Sequence, residues 1–245
     1  MTFFRDYFDD VAIINLKSRP DRRKSIVAEM DRLGFAENSL RFPDPPMFED
    51  NGGFPSKGVY GNYISHLSIL REAQQRGVQR VLVLEDDAIF SHAARDIKMQ
   101  SQFIEQAERH DWAMWHLGHK LRSELQGQPK GVIPNKMEFH WAHCYAVQSD
   151  SLPELIAFLE LLMSRPSGHH DGGKMYIDGA LYHYRAEHTQ KPCLVSHPPL
   201  SIQKGSDSNL ADPKQPGSRS WRKMPRKLAR TCRDEFWRRT GVDFR

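Results

Sequence analysis

Short apolar runs alternate with longer stretches of helical spacing along the first two hundred residues. The runs at 11–16 (VAIINL) and 81–84 (VLVL) are rich in β-branched residues, which is typical of strands buried on both faces of a parallel sheet. Two further runs, 112–117 and 141–147, predict strands as well. Apolar positions three and four apart predict intervening helices. The first predicted helix begins at an N-cap at Ser18 and ends at Gly34. The other four cover residues 58–76, 94–108, 151–163 and 176–187.

This alternation predicts an α/β fold with a mainly parallel central sheet flanked by helices. Residues 43–57 contain four prolines and two glycines and predict no regular element. Residues 121–139 are polar and predict irregular structure, and 204–220 form a polar boundary rich in Gly, Pro and Ser. We therefore expect one domain over 1–210 and a tail over 211–245.

The charge of the 245-residue chain is unevenly distributed. Residues 214–245 contain 11 Lys/Arg and 3 Asp/Glu, a net charge of +8. Residues 1–213 contain 24 Lys/Arg and 28 Asp/Glu, a net charge of −4. Aromatic and aliphatic residues recur at helical steps through this basic tail, which is typical of segments that bind anionic membrane surfaces. Packing of a C-terminal helix on the domain explains the pattern equally well. A nucleic-acid partner is not expected, because the tail matches no recognition motif.

The cysteines and the N-terminus indicate a cytoplasmic protein. The three cysteines lie far apart without a CxxC pair, which argues against a zinc ribbon or a disulfide framework. The first ten residues contain three acids and no apolar core of a secretory signal. Because no apolar stretch reaches 18 residues, any membrane association is expected to be peripheral, on the inner face.

Three consecutive carboxylates, Glu85, Asp86 and Asp87, follow the strand at 81–84. Ligands bind at the carboxyl ends of strands in open α/β sheets, and Mg²⁺ or Mn²⁺ is typically held by one or two carboxylates. In an extended chain, Glu85 and Asp87 would share one side and Asp86 would face the other. A solvated turn, or a helix N-cap at Asp87, is the alternative interpretation.

Other polar residues have a structural interpretation beside a functional one. The arginines at 19, 22 and 23 begin a predicted helix, where they fit an anion site or an exposed face. His66 lies on an apolar helix face and is expected to be a core residue more often than a catalytic one. Asp178, within the apolar segment MYIDGAL, is either functional or the N-cap of the following helix.

Three motifs in this order resemble glycosyltransferase family 25, which includes bacterial lipooligosaccharide and collagen galactosyltransferases. They are IINL at 13–16 with the arginines and Asp21 that follow, Gly61 with Ser65-His66-Leu67, and VLVLEDDAIF at 81–90. A weaker similarity continues through 145–147, Ile177-Asp178 and Gln203, so that the resemblance covers roughly residues 11–210. Asn62, Tyr63 and Ile64 stand where many relatives have a cysteine, and the proline-rich segment 43–57 also departs from the pattern.

The resemblance implies a GT-A-like fold and a metal-dependent, inverting transfer from a UDP-sugar, with galactose or a similar sugar, to a glycan or lipid-linked glycan acceptor. It implies Mn²⁺ or Mg²⁺ as cofactor and a role in lipopolysaccharide or lipooligosaccharide biosynthesis. The residues it assigns are Asp87 and Glu85 to the metal, Asn15, Arg19, Arg22, Ser65, His66, Glu85 and Asp86 to the donor, and Asp178 as general base.

Two other functions fit the same residues. Nucleotidyl or phosphoryl transfer would use the carboxylates with a different leaving group, and a non-catalytic protein would use the basic tail to bind an anionic surface. Free UDP as the product distinguishes sugar transfer from the first alternative, and donor-dependent thermal stabilisation distinguishes it from the second.

Overall fold

The computed structural model describes residues 1–119, 130–135 and 141–204. Its helices are α1 (Phe4–Tyr7), α2 (Pro20–Arg32), α3 (Lys57–Gln75), α4 (His92–Arg95), α5 (Ile97–Ala107), α6 (Leu152–Ser164) and α7 (Ile177–His183). Its strands are β1 (Asp10–Ile14), β2 (Leu40–Arg41), β3 (Arg80–Glu85), β4 (Ala88–Phe90), β5 (Met114–His116), β6 (Gly131–Pro134), β7 (Cys144–Gln148), β8 (Cys193–His197) and β9 (Ser201–Gln203).

A seven-stranded sheet in the order β2-β1-β3-β7-β5-β8-β6 forms the centre of the protein. Five strands run in one direction, and β7 and β6 run against them. The predicted α/β fold class, with a mainly parallel sheet flanked by helices, is therefore confirmed. Strands β4 and β9 pair antiparallel in a separate two-stranded sheet beside the end of β3.

Helices cover both faces of the sheet because the central strands are apolar on both sides. Val81 and Val83 of β3 pack with α3, α6 and α7, whereas Leu82 and Leu84 pack with α1, α2 and α5 on the opposite face. All four side chains are buried, and each such burial stabilises the fold by about 1.5–3 kcal/mol. The continuous apolar run in the sequence reflects this double burial.

The capping residues explain why the observed helices begin and end at slightly different residues from the predicted ones. Arg19, not Ser18, is the N-cap of α2, and Pro20 is its first residue, where a missing N–H is harmless. Ser56 caps α3 by accepting a 3.2 Å hydrogen bond from the N–H of Val59. Gly77 follows α3 with a φ of +66°, a conformation that glycine adopts without strain.

Two predicted helices are interrupted. The one expected over 94–108 is divided at Asp96, whose carboxylate accepts a hydrogen bond from the N–H of Met99 and begins α5. The one expected over 176–187 is α-helical only to His183 and continues as a π-helical turn over Tyr184–His188. The segment predicted to lack regular structure, 43–57, has no helix or strand over 43–56, and its last residue, Lys57, begins α3.

The irregular structure expected throughout 121–139 is wrong at β6, a short edge strand that pairs with β8. Residues 121–129 and 136–139 of that segment lie outside the described residues, as does the tail at 211–245, and the domain division stays a prediction. Within the ranges that the structure describes, no helix is both long and apolar enough to span a bilayer.

Candidate active site

The three carboxylates lie where β3 ends, at the edge of the sheet that also holds the carboxyl ends of β1 and β5. Glu85 is the last residue of β3, and Asp86 and Asp87 form the turn into β4. The expectation of an extended chain through Asp87 is therefore wrong. The side chains of Glu85 and Asp86 still diverge, because Glu85 contacts α3 whereas Asp86 contacts α2.

Glu85 is held by hydrogen bonds on both carboxylate oxygens. Asn62 of α3 donates to Oε1 at 3.1 Å, and Gln203 of β9 donates to Oε2 at 2.9 Å. The Nε2 atom of His66 lies 3.5 Å from Oε1. Burial raises the pKa of the Glu85 carboxyl, but the contacts with His66 and Asn62 outweigh burial and hold that pKa below its ordinary value. The side chain is therefore a fixed carboxylate.

Asp86 is bound by the elements that begin the chain. Asn15, just after β1, donates a 2.7 Å hydrogen bond to Oδ2, and Arg22 of α2 donates a 2.9 Å hydrogen bond to Oδ1. Asn15 also donates to the backbone oxygen of Arg19 at 3.2 Å. Both carboxylate oxygens of Asp86 thus have strong donors, and this carboxylate fixes α2 against the end of β3.

Asp87 is partly buried and lacks the donors that its two neighbours have. Within the described ranges, its buried Oδ1 atom accepts no hydrogen bond. Arg22 approaches Oδ2 only to 4.0 Å. Burial, and then the negative charges of Glu85 and Asp86, raise the pKa of the Asp87 carboxyl well above its ordinary value despite the charge of Arg22. A carboxylate in this state is satisfied by a cation.

The chemistry of this edge fits a hard divalent cation. Asp87 offers an oxygen without a donor, and the adjacent Glu85 offers oxygens with lone pairs left to share. Mg²⁺ and Mn²⁺ take such oxygens and complete their shells with waters and phosphate oxygens. These two side chains are the ones that would hold the ion.

A different set of side chains forms a closer three-residue grouping. Ligand atoms of His169, His170 and Asp171 lie within 4.8 Å of one another. These residues lie on a turn, and the His170 and Asp171 side chains are exposed. Among the residues described, the carboxylates at 85–87 do not form such a three-ligand grouping.

His66 is a buried residue whose ring also faces the candidate site. Its ring is fully buried among apolar neighbours, as a core residue would be. Its Nδ1 atom lies 2.9 Å from the hydroxyl of Tyr145, and its Nε2 atom faces Glu85. Ser65, by contrast, donates to the backbone oxygen of Gly61 within α3 and contacts none of the three acids among the hydrogen bonds described.

The remaining predicted site residues are Arg19 and Asp178. Arg19 is paired with Asp21 at 3.0 Å at the start of α2. Asp178 lies in the first turn of α7, and Tyr176 is the N-cap, so the N-cap interpretation of Asp178 is wrong. The Asp178 Oδ1 atom accepts a 2.9 Å hydrogen bond from the N–H of Gly179.

Three contacts of the site have no assigned role in the sequence analysis. Asn62 precedes His66 by four residues, which puts both on one face of α3, and this spacing is a usable signal. Gln203 belongs to the weaker part of the resemblance and has no distinct spacing. Tyr145 contacts His66 from β7, and no local pattern predicts the pairing of positions 79 residues apart.

The matching family model and the relatives similar in sequence point to the same family. Residues 50–161 match the family model described as "Glycosyltransferase family 25 (LPS biosynthesis protein)". The human protein named "Inactive glycosyltransferase 25 family member 3" is 29% identical over 173 residues, covering 61% of this chain and 29% of the relative. "Procollagen galactosyltransferase 2" of Mus musculus is 26% identical over 174 residues, which cover 61% of this chain and 27% of the relative. The resemblance drawn from the motifs is confirmed.

The chain spans less than a third of the length of these relatives. Among solved structures, a glycosyltransferase involved in glycosylation of the major capsid of PBCV-1 superposes with a TM-score of 0.49 and 11% identity. That superposition covers 81% of this chain and 95% of the other.

Proposed function

We propose that this chain, which carries a glycosyltransferase family 25 region over residues 50–161, transfers a sugar from a nucleotide-sugar donor to a glycan acceptor. The observation that carries the proposal is the Asp87 carboxylate, which is partly buried beside Glu85 and has a buried oxygen, Oδ1, without a donor in the described ranges. A divalent cation bound there would neutralise the charge that develops on a departing diphosphate. Mn²⁺ or Mg²⁺ is the proposed ion and a UDP-sugar the proposed donor.

The residues around the cation site have distinct roles in this proposal. Arg22 and the N-terminus of α2 lie beside Asp86, where cationic and N–H groups favour the diphosphate. Asn15 fixes the same corner by its bond to Asp86. Asp178 would act as the general base that takes the proton of the acceptor hydroxyl as this attacks the anomeric carbon and inverts it.

The acceptor is proposed to be a surface glycan or its lipid-linked precursor, with galactose or a similar sugar transferred. Support comes from the family description, which names lipopolysaccharide biosynthesis, and from relatives named galactosyltransferases. The basic segment 214–245 would bring the enzyme to anionic lipid on the inner face of the membrane. The segment lies outside the described residues, so its support is its composition alone.

The test uses the full chain and a panel of UDP-sugars, with Mn²⁺ or with EDTA. We expect a rise in the unfolding temperature with one donor only when the metal is present, and release of free UDP when an acceptor glycan is added. Asp87→Asn is expected to lose both effects, whereas Asp31→Asn, an exposed position of α2, keeps them.

The product separates the remaining possibilities. Pyrophosphate or inorganic phosphate in place of UDP would show nucleotidyl or phosphoryl transfer instead. Absence of donor binding and of UDP release across the panel would contradict the proposal and match the relative that is named inactive.

A further inference from the structure

The turn that connects α6 with α7, residues 165–176, brings three metal-ligating side chains to one place. Ligand atoms of His169, His170 and Asp171 all lie within 4.8 Å of one another. The two imidazole rings are nearly parallel, with their centroids 4.5 Å apart, and the Nε2 atom of His170 lies 3.1 Å from Oδ2 of Asp171. In an extended chain, successive side chains point to opposite sides, so the turn itself brings these three neighbours together.

Hydrogen bonds within the turn hold its backbone. The Nη1 atom of Arg165 donates to the backbone oxygen of Asp171 at 2.7 Å, and the N–H of Gly172 donates to the backbone oxygen of His169 at 3.0 Å. Gly168 and Gly172 flank the three residues, and each has a φ of +79°, which glycine adopts without strain. The three side chains therefore project from an ordered backbone, which reduces the entropy that binding an ion would cost.

The side chains of His170 and Asp171 are open to solvent, with exposed fractions of 83% and 60%. An ion can reach them directly from solution. An exposed ion pair contributes only about 0–1 kcal/mol, so the contact between these two side chains is easily replaced by bonds to a metal. Substitution of either side chain also removes little buried surface, and such variants are expected to stay folded.

The ligand set is typical of zinc. Imidazole nitrogens suit Zn²⁺, whereas Mg²⁺ and Mn²⁺ prefer sites built from oxygen alone, such as the carboxylates of Glu85 and Asp87. In a tetrahedral zinc site with bonds of about 2.0–2.2 Å, neighbouring ligand atoms lie about 3.4 Å apart. The 3.1 Å separation between the His170 and Asp171 ligand atoms is already close to this value. Rotation of the exposed side chains can close the larger separations of the grouping.

We propose that His169, His170 and Asp171 form a zinc site that shares no ligand with the candidate active site. Three protein ligands leave one position of the tetrahedron for a water molecule. Because the turn joins α6 to α7, a bound ion would also stabilise the connection between these helices. Adjacent positions match none of the usual spacings of zinc ligands, so the grouping is visible only in the folded turn. The inference does not rest on the proposed function.

The test is a calorimetric titration of the full chain with Zn²⁺ in excess Mg²⁺, which competes for sites built from oxygen alone. We expect the wild type to bind one Zn²⁺ at this site. Loss of a supporting contact costs about 10–100-fold in metal affinity, so His169→Ala, His170→Ala and Asp171→Asn should each lower the affinity by at least that much. His92→Ala, which removes an exposed histidine at the start of α4, should leave the affinity unchanged.

Two further measurements use the same proteins. Co²⁺ in place of Zn²⁺ reports the geometry, because tetrahedral Co²⁺ absorbs visible light far more strongly than the octahedral hydrated ion. Thermal unfolding reports binding to the folded state, since an ion that binds only the folded chain raises the unfolding temperature. Both signals are expected in the wild type and in His92→Ala, and neither in the three ligand variants.

Zn²⁺ affinity equal to that of the wild type in the folded ligand variants would overturn the proposal, as would a folded wild type that binds no Zn²⁺. If one ligand variant fails to fold, the other two decide the result. Neither measurement requires a donor or an acceptor. A chain that binds Zn²⁺ at this turn but transfers no sugar would therefore support the zinc site while the proposed function fails.

Discussion

The side-chain amide of Gln203 donates a 2.9 Å hydrogen bond to Oε2 of Glu85, a residue 118 positions earlier in the chain. The antiparallel pairing of β9 with β4 makes this contact possible, because it sets Gln203 opposite Ala88. The backbone of the next residue, Lys204, adds a 2.7 Å hydrogen bond to the backbone oxygen of Asp87. The candidate metal site is therefore completed by the last strand that the structure describes.

Gln203→Leu should weaken metal binding while the protein stays folded. The substitution removes one of the two amide donors that orient the Glu85 carboxylate, and loss of such an outer contact costs about 10–100-fold in metal affinity. Titration of the full chain with Mn²⁺, followed calorimetrically, measures the effect. The control is Gln75→Leu at an exposed position of α3. Equal Mn²⁺ affinity in both variants and the wild type would argue against Glu85 as a ligand.

Asp87→Asn should make the metal-free protein more stable and the enzyme inactive. In the wild type, burial and the charges of Glu85 and Asp86 disfavour the ionised Asp87 carboxyl and raise its pKa. The neutral amide removes this repulsion, which we expect to add roughly 1 kcal/mol to the free energy of unfolding at neutral pH. Thermal unfolding in EDTA, with Asp31→Asn as the control, measures whether the substitution raises the stability of the metal-free protein. A lower unfolding temperature for Asp87→Asn would mean that the carboxylate makes a favourable contact in the free protein.

His66 should matter more to activity than to folding if its contact with Glu85 is functional. His66→Gln keeps a polar side chain that can reach Tyr145, at the cost of some packing in a fully buried position. We expect a loss of about 1–2 kcal/mol in the free energy of unfolding and a larger, tenfold or greater fall in kcat/KM. Tyr145→Phe removes only the hydroxyl and tests the same contact from the other side. Unchanged kcat/KM in both variants would return His66 to a purely structural role.

The sequence alone predicts the doubly buried strands well, because residues 11–13 of β1 and 81–84 of β3 are apolar on both faces of the sheet. It fails at short edge strands such as β6 and β9, whose three or four residues depend on pairing with distant partners. Local periodicity contains no information about such pairing.

The candidate site also has a part that the sequence predicts and a part that it does not. The acids at 85–87 can be located because their carboxylates end a recognisable strand. Their different environments cannot be predicted, because Asn62, Gln203 and Arg22 come from three separate elements. The state of each carboxylate depends on these donors and not on its own position in the motif.

The basic segment 214–245 should confer salt-dependent binding to anionic membranes. A chain truncated after Ser218 loses ten of the 11 Lys/Arg residues of this segment, each worth about 1 kcal/mol near an anionic surface. Co-sedimentation with vesicles containing phosphatidylserine is expected to retain the full chain at low salt and not the truncated one. Equal binding of both chains at low salt would show that the tail is not the membrane contact.

Asp10 forms a buried ion-pair centre away from the site. Its carboxylate accepts a 2.6 Å hydrogen bond from Arg41 and lies 3.0 Å from Arg76, while its own side chain is only 4% exposed. Burial raises the pKa of Asp10, but the hydrogen bonds and charges of Arg41 and then Arg76 outweigh burial, so that its pKa is lowered. The Asp10 carboxyl therefore stays ionised to a lower pH in the folded chain than in the unfolded one.

The lowered pKa of Asp10 determines how the stability of the protein depends on pH. A lowered folded pKa gives stability that is fully present above the unfolded value, near 4, and is lost as the pH falls through the folded pKa. Asp10→Asn should lower the free energy of unfolding at pH 7 by about 1–3 kcal/mol and flatten its decline below pH 5. Urea unfolding from pH 7 to pH 3 measures both. Asp44→Asn, which breaks the exposed pair with Lys17, should change little. Parallel declines for Asp10→Asn and wild type would show that Asp10 contributes nothing to the acid sensitivity.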